Sequence, residues 1–165
     1  MQAQRYYWDT FTNLKRDQIY FSLHHHKLDG IERWQNIISA IAASTAIAGW
    51  AVWQYASFLW GFIIAASQVL TAVKPHLPYG RRLKSLEALC PEIEVLALTA
   101  ETDWWKVSRG MLTEEEIFSL ATALKQKTIA ATDRHSKGLV LPEDSKLLAL
   151  ADQRATAYMK TFSEE

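Results

Sequence analysis

Apolar positions along the chain fall into two regimes. In most of it they recur every three or four residues, the period of a helix with one buried face. From about Gln4 to Asp29, Tyr7, Phe11, Leu14, Gln18, Phe21 and His25 share such a face. From Arg81, Leu83, Leu86, Leu89, Ile93, Leu96 and Ala100 repeat in the same way, with Glu87, Glu92, Glu94 and Glu101 mostly off the stripe. Ile117, Leu120, Ala121, Leu124 and Ile129 predict a third helix, to about Asp133, and Leu147, Leu150, Arg154, Ala157 and Tyr158 a last one from about Glu143 to Phe162. No stretch alternates with period two, so no strand is predicted. Between Trp34 and Val73 the pattern changes, because that run contains no Asp, Glu, Lys or Arg.

A bilayer core of roughly 30 Å needs about 20 helical residues, so the uncharged run is too long for one span and suits two short ones. The first is expected at about Asn36 to Trp53 and the second at about Ser57 to Val73, with Gln54, Tyr55, Ala56 and Ser57 in the turn. A turn this tight returns both outer ends to the same side. Lys27 and Arg33 lead in, and Lys74, Arg81, Arg82 and Lys84 lead out, which by the positive-inside rule makes that side cytoplasmic. Trp50, Trp53, Tyr55 and Trp60, with Phe58, gather at the tip and Trp34 stands at the other end, where amphipathic rings anchor a span at headgroup depth. Small residues spaced by four, Ala42 with Ala46 and Gly61 with Ala65, permit close helix approach. Asn36, Ser44, Gln68 and Thr71 are the polar side chains available to line a lumen if several copies pack together, or to bond back to their own helices. The competing reading of the run is a buried hairpin of a soluble bundle, which ordinarily shows charge on one face.

The expected fold is therefore an all-α membrane protein. It comprises a cytoplasmic amphipathic helix over residues 1–33, a two-helix transmembrane hairpin over residues 34–74, and a cytoplasmic helical domain over residues 75–165. Local signals punctuate it. Asp29 and Gly30 interrupt the periodicity of the first helix, giving a bend or a short cap, and Pro75, Pro78 and Gly80 separate the hairpin from the tail. Pro91 kinks or restarts the next helix. Thr113 with Glu116 has the spacing of a capping box. The N-terminal face is rich in aromatics (Tyr6, Tyr7, Trp8, Phe11, Tyr20, Phe21) beside Arg5, Lys15 and Arg16. It suits either a core or a membrane or partner surface.

Lysine and arginine total 18, as do aspartate and glutamate, so no global field favours nucleic acid. The single Cys90 forms no internal disulfide and reads as a packing residue. His24, His25 and His26 point about 100° apart on a helix and do not converge on a metal. No nucleophile elbow, phosphate loop or zinc motif is present, and Glu114, Glu115, Glu143 and Asp144 read as helix-start carboxylates. Neither catalysis nor a cofactor is expected.

The order of an aromatic, basic N-terminal helix, the hairpin from Trp34 to Val73 and a helical tail from near Arg81 resembles the SLATT superfamily of bacterial two-transmembrane effectors, which are linked to nucleotide-sensing and retron defence. The segment Trp104, Trp105, Lys106, Val107, Gly110 and Thr113 to Glu116 is similar in character to the tails of such proteins. The resemblance implies an inner-membrane effector of abortive infection that contacts lipid, assembles with its own copies and permeabilises the membrane. It also implies restraint by a cytoplasmic sensor such as a retron reverse transcriptase, with nucleic acid met only through that partner. The alternative is a non-conducting membrane anchor or scaffold that docks a cytoplasmic protein.

Overall fold

A computed structural model of the chain describes residues 2–48, 61, 62, 65, 66, 68, 69, 72, 79–136 and 142–162. Among these residues the fold is all-α, with helices α1 (Gln2–Ala48), α2 (Tyr79–Ser108), α3 (Glu114–Ser136) and α4 (Ser145–Lys160). The chain divides into two compact units, one made of Met1–His26 with Lys84–Glu165 and the other of Lys27–Leu83. The N-terminal arm and the tail, separate segments of the sequence reading, thus share one unit.

The core of the first unit is built from the predicted stripes. Tyr7, Phe11 and Leu14 of α1 are buried with Leu86, Leu89, Ile93, Ala97, Ala100 and Val107 of α2. Ile117, Ala121, Leu124 and Ala131 of α3 join them, as do Ala151, Ala155 and Met159 of α4. Two stripes differ in detail. Ile129 is 61% exposed while Ala131 is buried, and α4 turns its alanines inward in place of the predicted face, leaving Arg154 and Ala157 exposed. Alanine four residues from alanine, with Met159 a turn further on, forms the narrow buried stripe of α4.

The helix ends follow local chemistry. α2 stops in a Schellman turn: Gly110 takes φ +67°, its N–H donates to the Val107 carbonyl at 3.1 Å, and the Met111 N–H reaches the Lys106 carbonyl at 3.1 Å. α3 opens on the predicted capping box, in which the Glu116 N–H donates to Thr113 Oγ1 at 3.3 Å and the Thr113 N–H to Glu116 Oε2 at 2.8 Å. Those bonds hold the Glu116 carboxyl below the usual range. At its far end the Ser85 hydroxyl donates to the His135 carbonyl, supplying a donor where a helix runs out of them. Asp144 caps α4, its Oδ1 accepting from the N–H groups of Lys146 and Leu147.

Neither predicted break ends a helix. α1 continues through Asp29 and Gly30, where Arg33 pairs with Asp29 at 3.4 Å one turn away. One glycine costs a helix only about 1 kcal/mol, too little to end it without a proline nearby. α2 likewise continues through Pro91, which lies on its exposed face, while Leu89 and Ile93 on either side are buried.

No helix among the described residues is long and apolar enough to cross a membrane. The uncharged part of α1, from Trp34 to Ala48, spans about 21 Å at 1.5 Å per residue, short of the roughly 30 Å required. Residues 49–53 of the first expected span, and most of the second, lie outside the described residues.

Thermal unfolding followed by circular dichroism should separate core from cap. Phe11→Ala removes a fully buried ring and is expected to destabilise the first unit by about 3–5 kcal/mol. Thr113→Ala, which loses only the cap, should cost about 1 kcal/mol.

Candidate functional site

Two surfaces bear on function: the aromatic arm in the first unit and the uncharged run in the second. The arm is spent inside its unit. Tyr6 stacks on Phe118 of α3 with ring centroids 5.3 Å apart, and Lys125 lies over the Tyr6 ring at 4.3 Å while donating to its hydroxyl at 3.1 Å. Trp8 meets Trp104 of α2 at 4.6 Å, and Tyr7 stacks on the same indole at 6.3 Å. Phe11 packs edge-on against Phe162 at 6.0 Å, and Lys15 sits 4.0 Å over the Tyr158 ring of α4. Each of the three tail helices therefore holds part of α1, and the core reading of the arm is the one observed.

Several polar atoms within this packing are matched, although Gln18 Oε1 and Thr122 Oγ1 are buried without a hydrogen-bond partner. The Tyr7 hydroxyl donates to the Ala100 carbonyl at 3.0 Å and the Gln4 amide to the Val107 carbonyl at 3.1 Å. The Asp144 N–H donates to the Tyr20 hydroxyl at 3.2 Å, tying the α4 cap to α1. Burial, with the Asp103 carboxylate adding to it, pushes the Tyr7 phenol far above its ordinary value. Tyr158 is pushed up to about 12 by burial and by the Glu101 carboxylate, to which its hydroxyl donates at 2.6 Å.

The three histidines separate as the helical angle requires, with His24 buried, His25 half-buried and His26 exposed. No group of three or more His, Cys, Asp or Glu able to hold a metal is found among the described residues. Cys90 is half-buried, and burial, with help from Glu94, raises its thiol, which keeps it protonated.

The second unit buries Leu28 and Leu83 but leaves large apolar side chains open. Trp34, Ile37, Ile38 and Ile41 on α1 are all exposed, Trp34 by 64%. So are Gly61, Phe62, Ala65, Ala66, Gln68, Val69 and Ala72, which are every described position between residues 61 and 72, with Phe62 at 68%. Large apolar side chains open along a helix face, Trp34, Ile37, Ile38 and Ile41 at spacings of three and four with no charge among them, form a surface that water does not suit. Of the proposed lumen residues Asn36 and Gln68 are exposed, whereas the Ser44 side chain and Thr71 lie outside the described residues. Trp34 alone of the expected anchors is described; Trp50, Trp53, Tyr55 and Trp60 are not. Among the basic flanks Lys27, Arg33 and Arg81 in this unit are exposed and Arg82 is half-buried. Lys84, exposed, belongs to the first unit, and Lys74 lies outside the described residues.

Comparison with protein-family models, with curated proteins and with solved structures found no match.

Two features escaped the sequence reading. Glu92 of α2 accepts from Arg134 and pairs with His135 of α3, each at 2.7 Å, and these partners hold its carboxyl below the usual range. No local spacing signals a pair more than forty positions apart. The second is an exposed apolar row on the outer face of α2, marked by Val95, Leu98 and Trp105. Its signal is a spacing of three and four that runs opposite to the buried stripe.

The tyrosines set the alkaline limit. A phenol ionises near pH 10 in the unfolded chain, and both Tyr7 and Tyr158 are raised above that in the fold. The folded state thus keeps protons that the unfolded state releases. Stability is fully present below about pH 10 and falls as the pH rises toward 12 and beyond. In an alkaline titration of helical ellipticity, Tyr7→Phe with Tyr158→Phe should flatten this loss; an unchanged slope would contradict the assignment.

Proposed function

We propose that the chain is a membrane-inserted effector of bacterial anti-phage defence. Residues 34–73 form a hairpin in the inner membrane with both termini cytoplasmic. Several copies associate and make the bilayer leak, and a cytoplasmic sensor such as a retron reverse transcriptase with its nucleic acid restrains or triggers them. The observation that carries the reading is the uncharged, exposed apolar surface of the second unit, from Trp34 to Ile41 and at Phe62 and Val69. Lipid covers such a surface without any partner protein. The flanking lysines and arginines supply the orientation, and the likeness to SLATT effectors supplies the biological setting.

Hairpins of this kind enclose water only as oligomers, and Asn36, Ser44, Gln68 and Thr71 are the residues assigned to the lumen. The chain itself carries no catalytic role in this reading and needs no cofactor. Nucleic acid is met through the sensor, since the net charge is zero and Lys15 and Lys125 are engaged with tyrosine rings. A second reading, a non-conducting anchor, draws on the first unit, whose core is more than a hairpin needs to sit in a membrane. In that case the partner docks elsewhere than on the aromatic arm, whose rings are already packed.

Membrane potential, followed with a voltage-sensitive dye in bacteria expressing the full chain, tests the proposal. The parent should depolarise the cells and Ala46→Lys should not, because a lysine at the centre of a span costs about 2.5–3.5 kcal/mol on insertion. Gln68→Leu should weaken the leak. Recovery of the parent in the supernatant without detergent would end the membrane reading; membrane-bound parent with an unchanged potential would favour the anchor.

A further inference from the structure

The outer face of α2 is exposed along its length. Ala88, Pro91, Val95, Leu98, Thr102 and Trp105 follow one another at intervals of three, four, three, four and three. All six are exposed, Val95 and Leu98 by 63% each. This alternation is the seam of a coiled coil rather than the wider stripe of a helix facing a core, and it lies on the side opposite the buried Leu86, Ile93, Ala97 and Ala100. It runs for about 26 Å at 1.5 Å per residue. A core-facing stripe and a second seam on one helix mean that α2 is built to pack twice.

We propose that this seam is a self-association surface, on which α2 of a second copy of the chain lies parallel and in register. The residues at the seam choose both the number of strands and the direction. Val95 and Thr102 occupy the position where β-branched side chains favour two strands, and Leu98 occupies the alternate position where leucine does. Beside the seam, Glu87, Glu94 and Glu101 form one row and Glu92, Thr99 and Lys106 the other. In a parallel pair each residue of the first row faces the residue five further on in the second copy. Glu101 then meets Lys106, which holds Asp103 of its own helix at 3.2 Å and has further donors to give, and Glu94 meets Thr99. Glu87 meets Glu92, whose carboxylate already holds Arg134 and His135 at 2.7 Å. Glu101 gives one oxygen to the Tyr158 hydroxyl, and a carboxylate has acceptor capacity for a further donor. An antiparallel pair would set the Glu94 and Glu101 rows against each other, with like charges facing on that side. A basic helix of another protein would also satisfy that row, but would leave Lys106 facing its own sign.

Trp105 ends the seam with Arg109 stacked 4.1 Å over one face of its ring, leaving the other face for the second copy. α2 is already folded in the first unit, so pairing orders no new helix. The seam supplies a contact between copies outside the hairpin, and it stands or falls separately from the membrane reading.

The test is cysteine cross-linking of the full chain in bacterial lysate, with Cys90→Ala to remove the native thiol and copper–phenanthroline as oxidant. Facing residues of a parallel seam come within the Cα separation of about 4.4–6.8 Å that a disulfide spans, so Leu98→Cys should cross-link about tenfold more than Gln126→Cys on the exposed side of α3. The product is a reducible dimer of twice the 18.8 kDa chain. Equal or absent cross-linking would overturn the proposal. Mixing Val95→Cys with Leu98→Cys chains fixes the direction: products joining like residues support the parallel pair, and products joining 95 only to 98 overturn it. Unchanged helical ellipticity in each variant shows that the fold is intact, and fractionation of the same lysate reads the membrane question separately.

Discussion

Tyr7, Phe11 and Leu14 present an apolar face that has to be covered, and the residues that cover it lie roughly ninety to one hundred and fifty positions later. The rest of the first unit follows from that constraint. Trp104 and the Ala100 carbonyl of α2 meet Tyr7, and Phe162, just past α4, meets Phe11; beside that face Phe118 of α3 stacks on Tyr6 and Tyr158 of α4 receives Lys15. α1 is the member that all three share, which is why the unit joins the two ends of the chain and leaves residues 27–83 as an insertion between them. The hydroxyls and amides on the arm deepen the same dependence, because Tyr7, Gln4 and Tyr20 each find a backbone partner in the tail.

What could be read from the sequence is the part that local physics dictates. The period of three and four located all of the described helices, and the Thr113 to Glu116 spacing and the Asp144 carboxylate located two helix starts to within a residue or two. What escaped depends on neighbours distant in sequence. Gly30 reads as a stop by propensity, yet propensity is a weak term that a continuing helix overrides. α4 buries Ala151 and Ala155 while Arg154 and Ala157 stay outside; alanine carries so little apolar area that no pattern in the sequence singles it out, and only the closeness of a facing helix makes it the better core residue. Glu92 with Arg134 and His135 is invisible for a similar reason, since charges pair through the fold and not through spacing. Whether the aromatic arm faced a core or a surface was open on composition, and only its contacts with the tail decide it.

The two units treat apolar side chains in opposite ways. In one, most rings and aliphatic groups of the arm are matched and many of its polar atoms have partners. In the other, Trp34, Ile37, Ile38, Ile41, Phe62 and Val69 are open to their surroundings. A single environment suits both only with difficulty, and that contrast, more than any one residue, motivates assigning them to different solvents. Gln68, exposed among uncharged neighbours, is the position where that assignment becomes chemical, because an amide in hydrocarbon looks for another helix to bond.

The insertion of residues 27–83 between the halves of the first unit also fixes an order of events during synthesis. At roughly 5–20 residues per second, the arm leaves the ribosome several seconds before the last tail helix exists to cover it. For that interval the faces of Phe11 and Lys15 lack the Phe162 and Tyr158 rings that meet them in the finished unit, so the closing of the first unit waits on its last helix.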